Sequence, residues 1–252
     1  MSAEAVNATP ILELRDVEVI YPNGTQALHR LDLDIEDDCV TVLLGPSGAG
    51  KSSLLRSLNL LVKPCSGTVS VRGKGALQSS SAIREHRRDT AMVFQQHQLI
   101  GRQTALQNVL TGRLGKHSFW RTLAPLSEPE RRLALSCLDR VGLFEKALTR
   151  CDSLSGGQQQ RVGIARALVQ EPRIILADEP VASLDPASSD RVLSLLRKIC
   201  KEDRIPLIMS LHQLEYARTF ADRIIGLSEG RIVFDDHPDR FDDTAYTAIY
   251  GT

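Results

Sequence analysis

The apolar positions of this chain fall into three patterns. Val40 to Leu44, Thr90 to Phe94, Arg173 to Ala177 and Ile205 to Ser210 hold short, nearly unbroken apolar runs, the mark of strands buried on both faces. Strict alternation occurs at Val17, Val19 and Tyr21 and again at Leu31, Leu33 and Ile35, with a turn at Pro22-Asn23-Gly24 between them. These two segments predict an antiparallel layer, extended by a short strand over Gly67 to Arg72. Ile224 to Asp235 reads as a hairpin around Ser228-Glu229-Gly230.

A helical period appears four times. It runs through Leu54, Leu55, Leu58, Leu61 and Val62, and through Leu135, Leu138 and Val141, then Val162, Ala165, Leu168 and Val169, and last Val192, Leu195, Leu196 and Ile199. The second is introduced by the capping box Ser127-Glu128-Pro129-Glu130 and stopped at Gly142. Glu171-Pro172 closes the third, and Asp185-Pro186 supplies N-cap and first residue of the fourth. Lys74 to Asp89 is polar and basic without strong periodicity and predicts surface chain. His237 to Thr252 predicts one short helix. Strands alternating with helices make the class α/β.

Composition narrows the setting. The chain has 252 residues, 42% hydrophobic and 25% charged, enough to bury a sizeable core. Thirty-one basic and 31 acidic residues cancel, which argues against a nucleic-acid partner. Five scattered cysteines form no C-x-x-C pair and predict reduced thiols. The first ten residues lack the basic and apolar regions of a signal peptide and predict a loose tail. No apolar run reaches the roughly 20 residues that span a bilayer.

The chemistry centres on Thr41 to Leu55, TVLLGPSGAGKSSLL, which carries G-x-x-x-x-G-K-[S/T] between an apolar run and a helix. Gly45 and Gly50 permit the tight turn, and backbone N–H groups from Gly48 to Ser52 can line a phosphate chain. Lys51 reaches the β- and γ-phosphates, and the Ser52 hydroxyl suits Mg²⁺. The helix adds its positive end to the same anion site. Asp178, closing a second apolar run, can face the same ion opposite Ser52, and Glu179 can orient or deprotonate water. Tyr21 can stack on a base or be an ordinary half-buried strand tyrosine; the residues alone leave both open.

Leu154-Ser155-Gly156-Gly157-Gln158, together with that loop and that strand, resembles the ATP-binding cassette family. The resemblance covers about Ile11 to Asp235. It implies a P-loop NTPase of ABC type, with a mainly parallel core sheet, an antiparallel β-layer and an α-helical subdomain at about residues 98–165. A single ATPase domain would span 11–236, with residues 237–252 as a short C-terminal extension.

The matching positions are Gly45, Pro46, Ser47, Gly48, Ala49, Gly50, Lys51 and Ser52 in the phosphate loop, with Ser53 following. Gln95 matches the Q-loop glutamine, Ser155, Gly156, Gly157 and Gln158 the signature, and Ser183-Leu184-Asp185 the D-loop. Asp178 matches the Mg²⁺ aspartate, Glu179 the catalytic glutamate and His212 the switch histidine. Tyr21 matches the adenine-stacking aromatic.

The resemblance therefore implies ATP and Mg²⁺, with the metal at Ser52, Gln95 and Asp178 and catalysis by Glu179, His212 and Lys51. It also implies a head-to-tail homodimer whose signature closes on the other subunit's γ-phosphate. The implied partners are two integral membrane permease subunits and an external, periplasmic or extracellular, substrate-binding protein. The implied location is peripheral, on the cytoplasmic face of the cell membrane.

Finer stretches resemble the ATP-binding subunits of bacterial phosphonate importers. They are Asn108 to Gly115, Phe119-Trp120-Arg121-Thr122-Leu123, Val141 to Leu143, A-D-E-P-V-A-S-L-D-P from Ala177 to Pro186 and L-H-Q-L-E-Y-A from Leu211 to Ala217. Gln98 and Ala91 depart from that subgroup, which often has Asn and Gly there. Uptake of phosphonate or a related phosphorus oxyanion is the expectation. The alternatives are a cassette for another small substrate such as phosphate or an amino acid, an exporter subunit, a ribosome- or DNA-directed ATPase and a small-molecule kinase.

Overall fold

The computed structural model describes residues 10–95, 98–117 and 127–251. Residues 1–9 and the stretch Phe119 to Leu123 lie outside them. Two sheets organise the chain. The first is antiparallel, ordered β2-β1-β4-β5 from β1 (Leu12–Ile20), β2 (Gln26–Ile35), β4 (Ser66–Val71) and β5 (Gly75–Ala76). The second is ordered β10-β9-β3-β8-β7-β6. It contains β3 (Val40–Leu44), β6 (Thr90–Val93), β7 (Ile174–Asp178), β8 (Leu207–Ser210), β9 (Arg223–Ser228) and β10 (Arg231–Asp236). Its strands are parallel except for β10, which returns antiparallel to β9. Every residue of β3, β6, β7 and β8 is buried, as their unbroken apolar runs require.

Alternation along β3 divides the core. Val40, Val42 and Leu44 face one apolar cluster, and Leu43 faces the other. The first cluster is filled by helices α3 (Ala105–Leu110), α4 (Glu128–Arg140), α5 (Gly156–Leu168), α6 (Pro186–Asp203), α7 (Leu214–Phe220) and α8 (Asp243–Tyr250). The second lies between the sheets and receives Leu54, Leu55 and Leu58 of helix α1 (Lys51–Leu58). Each of those leucines contributes about 1.5–3 kcal/mol by leaving water.

The chain departs from the pattern-based expectation in four places. Helix α1 stops at Leu58, because Leu60 takes a left-handed φ of 55°. Leu61 is therefore 49% exposed, and the apolar repeat outruns the helix. Helix α5 ends at Leu168, short of Glu171-Pro172, whose Glu171 turns with φ 51°.

Lys74 to Asp89 is not plain surface chain: it holds β5 and helix α2 (Ser80–Asp89), capped by the Ser79 hydroxyl accepting from Ala82 N–H. That helix buries His86 fully and Ala82 and Ile83 only in part, too little apolar surface to mark a period. It closes the end of α1: His86 Nε2 lies 2.7 Å from the Leu58 carbonyl, and Arg87 donates to the Asn59 and Leu60 carbonyls. The Leu58 and Asn59 acceptors are orphans of the helix end.

The C-terminal segment is a 3₁₀ turn over Pro238–Arg240 followed by α8, not one helix. Phe241, Ala245 and Ile249 pack into the main core. The capped helix starts expected at Ser127 and Asp185 are present, and capping boxes also stand at Ser155 with Gln158 and at Thr104 with Gln107.

Candidate active site

Strand register brings the site together. Leu43 of β3 and Asp178 of β7 both pair with Ser210 of β8, and Ala177 pairs with Val93 of β6. The loops leaving these strands therefore start at one level on the carboxyl edge of the sheet. They are the phosphate loop, Asp178-Glu179, Ser210 to His212, and the chain to Gln95. Strand β3 is also where the strand order reverses, with β8 on one side and β9 on the other, so the crevice lies at a topological switch point.

The loop after β3 depends on glycine at two close approaches. A Cβ on Gly45, at φ 153°, would lie 2.3 Å from the Leu227 carbonyl oxygen. One on Gly50, at φ 103°, would lie 2.6 Å from the Ala27 oxygen. Pro46, Ser47 and Gly48 form the exposed rim, and Ala49 is tucked beneath it. Gly50 caps α1 with no side-chain hydrogen bond, leaving the first amides of the helix to a ligand.

Lys51 is 4% exposed and donates to the Gly45 and Pro46 carbonyls at 2.7 and 3.0 Å. Burial pushes its ammonium below the ordinary lysine range, and the charges of Glu179 and Asp178 oppose that shift.

Ser52 Oγ donates to Asp178 Oδ1 at 2.8 Å, and Arg56 lies 3.6 Å from the other oxygen, Oδ2. Glu179 has φ 48°, and its Oε1 is 2.5 Å from His212 Nε2. Tyr21 sits half-buried at the end of β1, its hydroxyl 3.1 Å from Ser53 Oγ. Gln95 is exposed two residues beyond β6. One participant escaped sequence reasoning. Ser210, fully buried, donates to Asp178 Oδ1 at 3.0 Å and accepts the Glu179 N–H at 2.9 Å. A serine ending an apolar strand carried no signal beyond its place level with Asp178.

Ser155 to Gln158 form a separate group at the start of α5. Ser155 and Gln158 close a capping box, so the side chain of Gln158 is spent on its own helix. Asp185 likewise caps α6 by accepting from Ser188 N–H at 2.9 Å. The two helix starts touch: a Cβ on Gly156 would lie 3.3 Å from Leu184, and one on Gly157 would lie 3.5 Å from Ser188. Among the described residues, no hydrogen bond or ion pair joins Ser155–Gln158 to residues 45–53. The chain thus has an anion cradle at one edge of the sheet and a second helix start, with exposed Ser155 and Gly156, elsewhere.

Residues 28–182 match the family model for the ABC transporter. The chain belongs to the ABC transporter family. It is an ABC-type ATPase that binds ATP. Among curated proteins it is 60% identical over 240 residues to the phosphite import ATP-binding protein PxtA of Stutzerimonas stutzeri, covering 95% of this chain and 87% of that protein. It is 56% identical over 241 residues to the phosphonates import ATP-binding protein PhnC 3 of Nostoc sp., covering 96% and 92%.

Among solved structures, the ATP-binding cassette MJ0796, in a dimeric post-hydrolysis state bound to ADP and Pi, superposes with a TM-score of 0.78 at 35% identity. That match covers 90% of this chain and 98% of that one. The protein cbiO1 of Clostridium perfringens, part of the ABC transporter complex cbiONQ, superposes with a TM-score of 0.82 at 30% identity, over 95% and 93%. Within this family the P-loop NTPase fold, with parallel core sheet, antiparallel layer and helices, is the one expected from the motifs. Among the described residues no helix is long and apolar enough to cross a membrane.

Proposed function

We propose that this ATPase powers a binding-protein-dependent importer of phosphonate or a related reduced-phosphorus oxyanion such as phosphite. The observation that carries the mechanism is the line Ser52–Asp178–Ser210–Glu179–His212, continuous through hydrogen bonds at the mouth of the phosphate loop. The cargo assignment is supported by the 56–60% identity to phosphonate and phosphite import proteins over nearly the whole chain.

In this reading the amides of residues 48–52 hold the phosphate chain, Lys51 neutralises its β- and γ-oxygens, and Tyr21 stacks on the adenine. The Ser52 hydroxyl and Asp178 carboxylate meet at 2.8 Å, an all-oxygen donor pair of the kind that Mg²⁺ accepts. Ser52 and Asp178, with the Gln95 amide oxygen, would hold that ion; when bound, it neutralises charge that develops on the phosphates. Glu179 accepts the proton of the attacking water, and His212, hydrogen-bonded to Glu179, holds it in line.

Ser155, Gly156 and Gly157 act on the ATP of a second copy in a head-to-tail homodimer, with Asp185 and Gln158 organising the two helix starts behind them. ATP then closes the pair and hydrolysis releases it, a two-state element of the kind a transport cycle needs. The dimeric state of the related cassette MJ0796 supports that arrangement.

Two membrane permease subunits are the proposed partners at the cytoplasmic face of the cell membrane, with an external binding protein that selects cargo. A cleft of about 500 Å³ between α2, the chain near Gln98 and α5 is the proposed docking place for a permease segment. Arg84, Arg87, Arg88, Lys116 and Arg166 line it, and among the described residues its lining holds no acidic side chain, so an acidic segment fits.

The test is reconstitution. The chain, expressed with its membrane subunits, should co-purify with them, and its ATPase should rise several-fold when the binding protein is loaded with methylphosphonate or phosphite. Stimulation by an amino acid instead, with no response to either oxyanion, would reject the cargo.

A further inference from the structure

We propose that Ser210 is a positioning residue for hydrolysis, fixing the Mg²⁺ carboxylate and the catalytic glutamate to each other through one hydroxyl. The inference rests on the proposed roles of Asp178 and Glu179 and extends them to a residue outside the family's motifs as matched above.

The hydroxyl spends its proton on Asp178 Oδ1 at 3.0 Å and a lone pair on the Glu179 N–H at 2.9 Å. It ends β8 at the position paired with Asp178, so strand register sets the distance. Ser210 has 0% exposure and Asp178 6%, which shelters their contact from water.

Asp178 Oδ1 receives two hydroxyl donors that differ in freedom. Ser52 belongs to the ligand-facing loop and can turn its oxygen toward a cation. Ser210 stands at the end of a buried strand between β3 and β7 and cannot follow. When Ser52 turns away, Ser210 is the donor that keeps the carboxylate aimed. Hydrogen-bonded partners of a metal-binding carboxylate typically contribute about 10–100-fold to metal affinity.

The second contact acts on the backbone of Glu179. That residue holds a left-handed φ of 48°, a conformation that strains a non-glycine residue and persists only where its surroundings hold it. The Ser210 oxygen holds its N–H, and the turn it stabilises aims the side chain at His212. Without the hydroxyl, the Glu179 N–H loses its partner and the Glu179 turn loses its anchor.

The experiment compares Ser210→Ala, Ser210→Thr and the parent, measuring ATPase against free Mg²⁺ and metal-free binding of a fluorescent ATP analogue. Ser210→Ala should leave metal-free nucleotide binding within about twofold. It should raise the Mg²⁺ concentration for half-maximal activity about tenfold and lower kcat about tenfold. Ser210→Thr, which keeps the hydroxyl, should recover most of both. An unchanged Mg²⁺ half-saturation in Ser210→Ala overturns the proposal, whatever kcat does, because a structural loss lowers the amount of active enzyme without moving that midpoint. A thermal melt identifies any variant that fails to fold, and Ser210→Cys, nearly isosteric but a poor donor, then carries the same comparison. Glu179→Gln is the separating control: full activity there rejects the catalytic assignment itself, independently of Ser210.

Discussion

Individual residues in this site are defined by what they already touch. Lys51 is buried and held by two loop carbonyls, so its ammonium stands pointed into the cradle before any phosphate arrives. Lys51→Ala removes the charge and loosens the loop, and calorimetry should show ATP binding lost; retained tight binding would contradict the assignment of this loop. Glu179→Gln keeps the shape of the side chain and removes its basicity. Steady-state hydrolysis should fall by about 10²-fold or more while ATP binding persists.

Asp178 and Glu179 were legible in the sequence because a carboxylate pair closing an apolar run, in a chain with a phosphate loop, has few other uses. Ser210 was not: a hydroxyl at a strand end is common, and only pairing in register with Asp178 gives it a partner. Asp185 was legible as the N-cap before Pro186, but spacing could not show that Gln158 commits its side chain to capping its own helix.

At the scale of elements, apolar periodicity located the strands and the long helices because each buries a continuous face. It failed where burial is sparse. Helix α2 rests on the core chiefly through His86, whose contact with the Leu58 carbonyl closes α1. Burial holds the His86 imidazole below its ordinary value of 6.5. A base with a depressed folded pKa binds protons better in the unfolded chain, so its penalty on stability is absent well above 6.5. That penalty grows as pH falls through 6.5 toward the folded value. The melting temperature of the parent should therefore drop more between about pH 8 and about pH 5.5 than that of His86→Gln. Equal drops would show that this imidazole is not the group responsible. Helix α8 was expected as a tail element, yet Ile249 packs so tightly on Gly226 that a Cβ there would lie 2.2 Å from its Cδ1. Ile249→Ala should cost about 2–4 kcal/mol in a denaturant titration.

At the scale of the whole molecule, one chain carries a phosphate cradle and a signature helix start with no hydrogen bond or ion pair between them among the described residues. In the proposed head-to-tail pair, hydrolysis is a property of two copies. The specific activity of the isolated subunit should rise with its own concentration, and the Glu179→Gln variant should elute as a dimer only with ATP. Activity per subunit that stays constant on dilution to well below the dimer's dissociation constant would contradict a shared site. The zero net charge of the chain hides a local asymmetry, the cationic cleft beside α2, which composition could not reveal.

The most direct measurement is growth of a strain lacking this gene, and without another importer for the same cargo, on methylphosphonate or phosphite as sole phosphorus source. Complementation with the parent gene should restore growth, Glu179→Gln should not, and all strains should grow alike on phosphate. A deletion strain that grows as well as its parent on both oxyanions would contradict the claim that this ATPase drives their uptake.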